Sequence, residues 1–239
     1  MVATRVAAVT WPGPSILEPE PHVTATTPQA AQENLEAAYV AWGLEAPRAR
    51  SAEAFAEALR GLEEAKCAVQ AAEALPPGGL LLVDGALSGL PPGPQALADR
   101  ILAAAKRAGA VAIGVAKRST LEQGGLPLAT ALQQSGPPGT WAVEVQDGVF
   151  VARLHARSRH AFRIDASEFA KVARLLPLCR DAVYTGYPYP LALAHNAVAL
   201  THAHARELAR RLWVEVRRVG GPEAAALLAD FHEVLDRNT

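Results

Sequence analysis

The chain has 239 residues, half of them apolar, which is enough to bury a substantial core in one large domain. Its formal net charge of −1 excludes a globally basic nucleic-acid-binding protein, and two cysteines are too few for a disulfide framework. No apolar run reaches the length of a membrane span, and the N-terminus leads directly into a strand-like run, so we expect a cytoplasmic protein without membrane contact. The scarcity of Asn, Met and Cys also suits a thermophile.

Short strands followed by two helices are predicted for the first third of the chain. The elements are strands at 4–10 and within 15–26, a helix at 28–41 and a helix at 51–75. Pro19 and Pro21 favour edge strands, because proline cannot donate to a strand ladder. Ser51 followed by Glu53 is a typical helix start, and Pro and Gly residues at 76–79 end that helix.

Two apolar runs, each followed by a charged residue, enclose one predicted helix. Leu80–Val83 leads into Asp84 and 110–116 leads into Lys117, with an amphipathic helix at 94–107 between them. Strand, helix and strand form a right-handed crossover with two parallel strands. Because parallel strands end at the same edge of a sheet, Asp84 and Lys117 should lie close together. Asp-Gly is also an ordinary turn signal, so a plain turn at Asp84 is the alternative.

Antiparallel strands and further helices are predicted for the second half. The elements are a helix at 121–135, a hairpin of 141–145 and 149–155, a strand at 162–165, a short helix at 167–175, a long helix at 191–217 and a C-terminal helix at 221–236. Asp147-Gly148 supplies the hairpin turn. Together the elements predict an α/β fold with helices packed on a mixed sheet. We interpret 1–239 as a single domain with N-terminal strands in 1–26 and a core in 50–215.

Two glutamates precede the Asp84 strand on the same predicted helix. Because only a short connection joins helix and strand, the helix must fold back, and Glu63 or Glu64 can face Asp84. Glu64 is preferred because it shares a helix face with Ala68 and Ala71, whose small side chains allow close packing on the sheet. The alternative is that both glutamates are solvated surface acids.

Several basic residues could bind phosphate locally despite the near-zero net charge. Lys117, Arg118 and Ser119 end the second strand and could hold a phosphate or neutralise an anion, or they could simply be solvated at a strand exit. Two further clusters are Arg153, His155, Arg157, Arg159, His160 and Arg163, and Arg206, Arg210, Arg211, Arg217 and Arg218. Such arginine usage fits a GC-rich genome as well as it fits phosphate binding.

A loop rich in Tyr, Gly and Pro at 184–190 precedes the long helix. Pro190 suits the first helical turn, which places His195 about one turn into the helix and near Tyr187. His202 lies on the same face but on the order of 10 Å away, too far to hold one ion together with His195. A lone histidine on a helix is usually structural or solvated, and only the resemblance described next singles out His195.

Three segments, taken in order, resemble motifs of one nuclease family. They are Leu-Leu-Leu-Val-Asp84-Gly85-Ala-Leu, Gly-Val-Ala-Lys117-Arg118-Ser119 and Gly-Tyr187-Pro-Tyr-Pro-Leu-Ala-Leu-Ala-His195. The family is NurA, nucleases with an RNase H-like core that act with the HerA hexameric ATPase in DNA end resection. The similarity covers most of 50–215, where the strand at 162–165 also fits the family.

The resemblance implies a metal-dependent 5′–3′ exonuclease and endonuclease acting on DNA, built on an RNase H-like mixed sheet. Asp84, with Glu64 or Glu63, would bind Mn²⁺ or Mg²⁺, because these hard cations prefer oxygen ligands around a phosphodiester. His195 would be a further metal ligand or a proton donor.

The same resemblance implies residues and partners for DNA handling. Lys117 would contact the scissile phosphate, and Tyr187 would position His195 or the DNA. Arg118 and Ser119 would add contacts to the DNA. The implied partners are DNA, a HerA-type hexameric ATPase and a second copy of the chain in a homodimer.

One segment departs from the family pattern. Family members carry Asp-Gly-Ser at the end of the first core strand, whereas 6–13 of this chain has Thr10 in place of the aspartate. A hydroxyl is a poor substitute for an anionic ligand between two cations, although Glu18 or Glu20 could replace it. The sequence therefore leaves three hypotheses: a DNA nuclease with a weakened metal site, a non-catalytic relative that binds DNA or protein, and an unrelated α/β enzyme acting on a phosphorylated small molecule.

Overall fold

The structure is a computed structural model that covers most of the chain. The residues it describes are 2–4, 6–12, 16–17, 22–24, 28–117, 121–199, 206–207, 209–211, 213–214 and 217–218. The chain divides into two compact units, Met1–Val198 and Ala199–Thr239. In the second unit the described backbone from residue 206 onward is helical, and hydrogen bonds from Arg210 and Arg211 lower the pKa of Glu207 to about 2.

The described strands pair in four sheets. In chain order they are β1 (Val2–Thr4), β2 (Ala8–Val9), β3 (Ile16–Leu17), β4 (His22–Thr24), β5 (Leu80–Val83), β6 (Val111–Ala116), β7 (Glu122–Gln123), β8 (Leu126–Pro127), β9 (Trp141–Gln146), β10 (Val149–Arg153) and β11 (Phe162–Asp165). The central sheet has five strands in the order β5-β6-β11-β10-β9. β5 and β6 are parallel and the other neighbours are antiparallel, so the sheet is mixed, as predicted. β1 pairs with β4, β2 with β3, and β7 with β8.

Helices lie on both faces of the central sheet. In chain order they are α1 (Pro28–Val40), α2 (Ala52–Glu73), α3 (Pro92–Arg107), α4 (Leu128–Ser135), α5 (Phe169–Ala173), a 3₁₀ turn (Leu176–Cys179) and α6 (Tyr189–Val198). One core cluster joins α1, α2 and α3 to one face of the sheet, and a second joins α5 and α6 to the other face. The predicted α/β fold with flanking helices is therefore confirmed.

The alternation of side chains along β5 and β6 explains the two clusters. Ala112 packs into the cluster under α2 and α3, whereas Ile113 and Val115 are fully buried in the cluster under α6. Leu81 and Leu82 divide between the clusters in the same way. These strands are apolar throughout because both of their faces are covered.

Local signals placed several elements correctly. α2 begins after Ser51, whose side chain accepts a hydrogen bond from the Ala54 N–H. The β9–β10 hairpin turns at Asp147-Gly148, where Gly148 adopts a φ of +69°. The strand–helix–strand crossover of β5, α3 and β6 is present with its two parallel strands.

The prediction of one helix over 121–135 is wrong in its first half. β7 and β8 form a small hairpin there, and the helix begins only at Leu128. Gly124 and Gly125 have φ of +60° and +77°, a left-handed conformation that suits a glycine turn and cannot continue a helix. The Gly-Gly pair was therefore the decisive local signal.

The prediction of one long helix over 191–217 is also wrong. α6 ends at Val198 and Ala199 is not helical. Asn196 and Val198 are weak helix formers, so the apolar pattern alone overstated the length. Several predicted features lie outside the described residues: Glu18, Glu20, Arg118, Ser119, His202 and the helix at 221–236.

The segment at 6–12, which the resemblance compares with the family's first core strand, lies outside the central sheet. It contributes only β2, which pairs with β3 and is not one of the five strands of that sheet. Among the helices, none in the described part of the chain is both long enough and apolar enough to cross a membrane.

Candidate functional site

The ends of β5 and β6 bring two charged residues together. Val83 lies opposite Gly114 in the parallel register, so both strands end at one edge of the sheet. The Lys117 ammonium donates to Asp84 Oδ2 at 2.9 Å. The side chains of Lys117 and Asp84 are 42% and 38% exposed, so the predicted pair is confirmed as an accessible one. A carboxylate and an ammonium are thus available to a ligand at this edge.

Tyr187 contributes an aromatic ring and a hydroxyl to the same site. The Lys117 ammonium lies 4.8 Å from the centre of the Tyr187 ring, within the range of a cation–π contact. Burial raises the pKa of the Tyr187 hydroxyl, and the neighbouring Asp84 carboxylate raises this pKa further. The hydroxyl is buried and has no hydrogen-bond partner of standard geometry among the described residues, so its approach to Asp84 is looser than a standard hydrogen bond. Tyr187 is therefore a neutral donor at neutral pH.

The glycine–proline segment before α6 fixes the position of Tyr187. Gly186 has a φ of +88°, a backbone conformation that residues other than glycine rarely adopt. Its N–H donates to the Cys179 carbonyl. The Tyr187 N–H donates to the Tyr184 carbonyl, and the Tyr187 ring lies 5.4 Å from that of Phe162. This turn holds the aromatic ring against the end of β6.

The structure distinguishes the two glutamates of α2. Glu63 pairs with Lys66 at 2.8 Å, whereas Glu64 pairs with Arg60 at 2.7 Å. Desolvation by surrounding protein raises the pKa of the half-exposed Glu64 carboxyl, Arg60 lowers it, and the charge of Asp84 raises it, with a net rise. The charge of Asp84 therefore contributes to the pKa of Glu64, and the role of Glu64 as a metal ligand stays a prediction.

His195 lies on α6 with an exposed side chain. Among the described residues, this side chain forms no hydrogen bond or ion pair that joins it to Asp84 or Tyr187. Its role in metal binding or proton transfer remains a prediction.

Thr10 lies near the start of α6. It is exposed and follows β2, which packs against α6. The neighbouring Trp11 ring makes an edge-to-face contact with Tyr189 at 5.3 Å. Trp11, which follows Thr10, therefore contacts the first residue of α6, two positions after Tyr187.

Carboxylates are the natural metal ligands at this site. No three His, Cys, Asp or Glu side chains in the described ranges lie close enough together to hold a metal ion. Asp84 and Glu64 remain as two candidate carboxylates, and the charge of Asp84 raises the pKa of Glu64 less than burial does. Such a pair suits Mg²⁺, which is commonly bound by one or two carboxylates, with water and substrate phosphates completing the coordination.

A buried ion pair behind the site was missed in the sequence. Arg163 and Asp165 are each about 4% exposed, and the Arg163 Nε–H donates to Asp165 Oδ1 at 2.7 Å. Asp165 Oδ2 accepts from the N–H groups of Leu87 and Ser88 and from the Ser88 hydroxyl. The pair therefore fixes the turn that follows Asp84, and Arg163 is not available to phosphate as its basic cluster suggested. Arg163 and Asp165 stand at alternate positions of the otherwise apolar strand β11, and this pattern could have indicated a buried ion pair.

Gly114 lets that turn approach the sheet. A Cβ at Gly114 would lie 2.6 Å from the Gly85 carbonyl oxygen and 3.1 Å from Leu87 Cγ. The turn that follows Asp84 therefore packs directly on the backbone of β6. Glycine is required here for close approach.

The two cysteines take no part in the site. Both are buried, and burial raises the pKa of the Cys179 thiol to about 12. A thiol with such a pKa is unreactive at neutral pH.

Comparisons with protein-family models, curated proteins and solved structures found no match to this chain. The fold and the site define an α/β protein with an acidic and basic site at the carboxyl edge of two parallel strands. Its function is therefore inferred from the chemistry of Asp84, Lys117, Tyr187 and Glu64, together with the motifs that contain the first three.

Proposed function

We propose that this chain is a NurA-like, metal-dependent DNA nuclease whose active site lies at the ends of β5 and β6. The observation that carries the proposal is the meeting of Asp84, Lys117 and Tyr187 at one edge of the sheet. Each belongs to one of the three segments that resemble the family. The RNase H-like character of the sheet, the HerA-type ATPase partner, the homodimer and the cytoplasmic location belong to the same proposal.

Asp84 and Glu64 would hold Mn²⁺ or Mg²⁺ together with water and a phosphodiester oxygen. Their fit to a cation rests on the chemistry of the donor set, because two carboxylates supply the anionic oxygen ligands that hard cations prefer. When bound, the cation would polarise the phosphodiester and lower the pKa of an attacking water.

Lys117 would bind the scissile phosphate in this mechanism. Its ammonium pairs with Asp84 in an exposed position, where an ion pair contributes only about 0–1 kcal/mol to stability. The ammonium can therefore leave the Asp84 carboxylate and bind a phosphate oxygen with little loss of stabilising free energy. The ring of Tyr187 would keep it at the sheet edge.

Tyr187 would act as a neutral hydrogen-bond donor to the substrate or to Asp84. Burial and the charge of Asp84 raise the pKa of its hydroxyl, so the proton is retained at the pH of the reaction. The hydroxyl lacks a partner of standard geometry in the described part of the chain, which leaves it available to an incoming phosphate oxygen.

Cleavage assays on single- and double-stranded DNA with Mn²⁺ or Mg²⁺ test the proposal. We expect Asp84→Asn and Glu64→Gln each to slow cleavage by about 100-fold or more, since each removes a ligand charge. Glu63→Gln is the matched control, because Glu63 pairs with Lys66 and should leave the rate unchanged. Cleavage that persists undiminished in Asp84→Asn would exclude the proposed active site.

A non-catalytic NurA-like protein that binds DNA or protein is the second candidate. It is favoured by Thr10, which occupies the position of the family's first aspartate and lies beside the Trp11–Tyr189 contact. In that case calorimetry should detect no Mn²⁺ binding to the native chain, and Thr10→Asp should create it. Tight binding of Mn²⁺ by the native chain would argue against this candidate.

A further inference from the structure

The direction of β10 places a third loop at the edge that carries Asp84 and Lys117. β11 runs antiparallel to both β6 and β10, so β10 runs in the same direction as β6 and β5. The chain that follows β10 therefore leaves the sheet at the edge where Asp84 and Lys117 lie. We name residues 154–161, which connect β10 to β11, the basic loop.

The basic loop exposes positive charge that has no partner within the described protein. Arg157, Arg159 and His160 are all exposed. Neither arginine forms a salt bridge with an acidic residue in the part of the chain that the structure describes. Two permanent charges at this edge are therefore balanced by solvent and are open to an anionic ligand.

Hydrogen bonds within the basic loop hold its backbone in one arrangement. Ser158 is buried, and its hydroxyl donates to the His160 carbonyl and accepts from the His160 N–H. The Arg157 N–H donates to His155 Nδ1, and the Arg153 guanidinium donates to the Ala156 carbonyl at 2.6 Å. A backbone fixed in this way presents its outward charges with little loss of backbone entropy on binding.

The basic loop also packs against the segment that carries Tyr187. A Cβ at Gly186 would overlap the Ser158 side chain, so the Gly186 backbone lies directly against that side chain. The ring of Phe162, at the end of the loop, lies 5.4 Å from Tyr187 and 6.5 Å from His160. The exposed charges are therefore continuous with the site through packed residues.

We propose that the basic loop binds the phosphodiester backbone of a DNA strand beside the Asp84 site, with Arg157 and Arg159 each contacting a phosphate. This inference rests on the proposed function and adds the surface that would guide the strand to Asp84 and Lys117. A local basic edge can bind DNA although the net charge of the chain is −1, because screening limits electrostatic attraction to about 10 Å at 0.1 M salt.

Fluorescence anisotropy with a labelled single-stranded oligonucleotide in EDTA tests the inference without cleavage. Arg157→Ala combined with Arg159→Ala should weaken binding roughly five- to tenfold at about 0.1 M salt. The slope of log K against log[salt] should become shallower by about 1.4, because each phosphate of a single strand that an arginine neutralises adds about 0.7 to it. Both side chains are exposed, so the double variant should retain the fold and its melting temperature.

Lys106→Ala combined with Arg107→Ala is the matched control. It removes the same charge from the end of α3, which precedes β6 and lies at the opposite edge of the sheet. Its binding and its salt slope should equal those of the native chain. Equal losses in both double variants, an unchanged affinity in the Arg157 and Arg159 variant, or no binding by the native chain would each overturn the inference.

The cleavage assay separates this inference from the proposed function. Loop-dependent DNA binding without any cleavage would exclude the nuclease and support the basic loop as a DNA-binding surface. Asp84-dependent cleavage with binding that does not depend on Arg157 and Arg159 would support the nuclease and exclude the role of the loop.

Discussion

Two ion pairs near the same sheet edge differ in burial, and burial decides what each can do. Asp84 and Lys117 are both more than a third exposed, so water screens their attraction and either partner can turn to a ligand. Arg163 and Asp165 are buried, and their charges are satisfied by each other and by the turn at 87–88. The exposed pair is suited to binding and the buried pair to structure.

Removing one member of each pair should therefore have unequal effects on stability. Asp165→Ala leaves the Arg163 charge buried without its partner, which costs about 3–5 kcal/mol of unfolding free energy. Lys117→Ala removes an exposed partner and should cost less than about 1 kcal/mol. Denaturant unfolding of the two variants measures the difference, and equal losses would contradict the structural role of Asp165.

Tyr187→Phe should leave the stability of the protein unchanged at pH 8 and change how that stability depends on pH above 10. Burial raises the pKa of Tyr187, so its contribution to stability is present below the unfolded value of about 10 and is lost as the pH rises above that value. The variant should match the native chain at pH 8, because the hydroxyl has no partner of standard geometry among the described residues.

Above pH 10 the same variant should unfold less readily than the native chain, since phenylalanine cannot ionise. Unfolding measured at pH 8 and at about pH 10.5 compares the two conditions. A large loss of stability at pH 8 would instead show that the hydroxyl forms a strong hydrogen bond in the folded protein.

At the level of elements, the part of the site that the sequence predicted is the part set by local patterns. Two apolar strands around an amphipathic helix require a parallel crossover, and this alone places Asp84 beside Lys117. The preference for Glu64 over Glu63 likewise came from the period of one helix, and it stays a prediction. Both inferences use periodicity within one short stretch of chain.

The missed elements depend on contacts between distant parts of the chain or on single backbone angles. Asp165 and Ser88 meet across 77 positions of the sequence, so no local pattern pairs them. Gly124 and Gly125 turn the chain by positive φ angles, which a helical apolar pattern does not report. The position of the basic loop followed only from the direction of β10 in the sheet.

Alanine substitutions at two glycines, one in a strand and one in a helix, should change the stability of the protein in opposite directions. Gly114→Ala forces a Cβ against the Gly85 carbonyl, and displacing this turn should cost about 1–3 kcal/mol and impair cleavage by moving Asp84. Gly61→Ala, within α2, meets only Leu97 at 3.7 Å and should stabilise the protein by about 0.5–1 kcal/mol. Thermal unfolding of both variants tests the packing of the turn on β6, and a stabilising Gly114→Ala would contradict it.

For the whole molecule, the two core clusters are joined through one sheet. Leu81 and Leu82 are adjacent in β5 but pack in different clusters, so disruption of either face exposes the shared strands. Every buried residue of both clusters lies within Met1–Val198. The unit that carries the candidate site therefore contains the cores that support it.

A chain that ends at Val198 should consequently fold and unfold cooperatively, because it retains the central sheet and both clusters. A chain that ends at Thr185 is the contrasting variant, since it loses Tyr187, Leu191 and Ala192 from the cluster under α6. Loss of the buried leucine alone is expected to cost about 2–5 kcal/mol. We therefore expect a sharp thermal transition by circular dichroism for the first variant and a broad or absent one for the second. A first variant that fails to fold would show that Met1–Val198 requires the rest of the chain, as a single domain over 1–239 would predict.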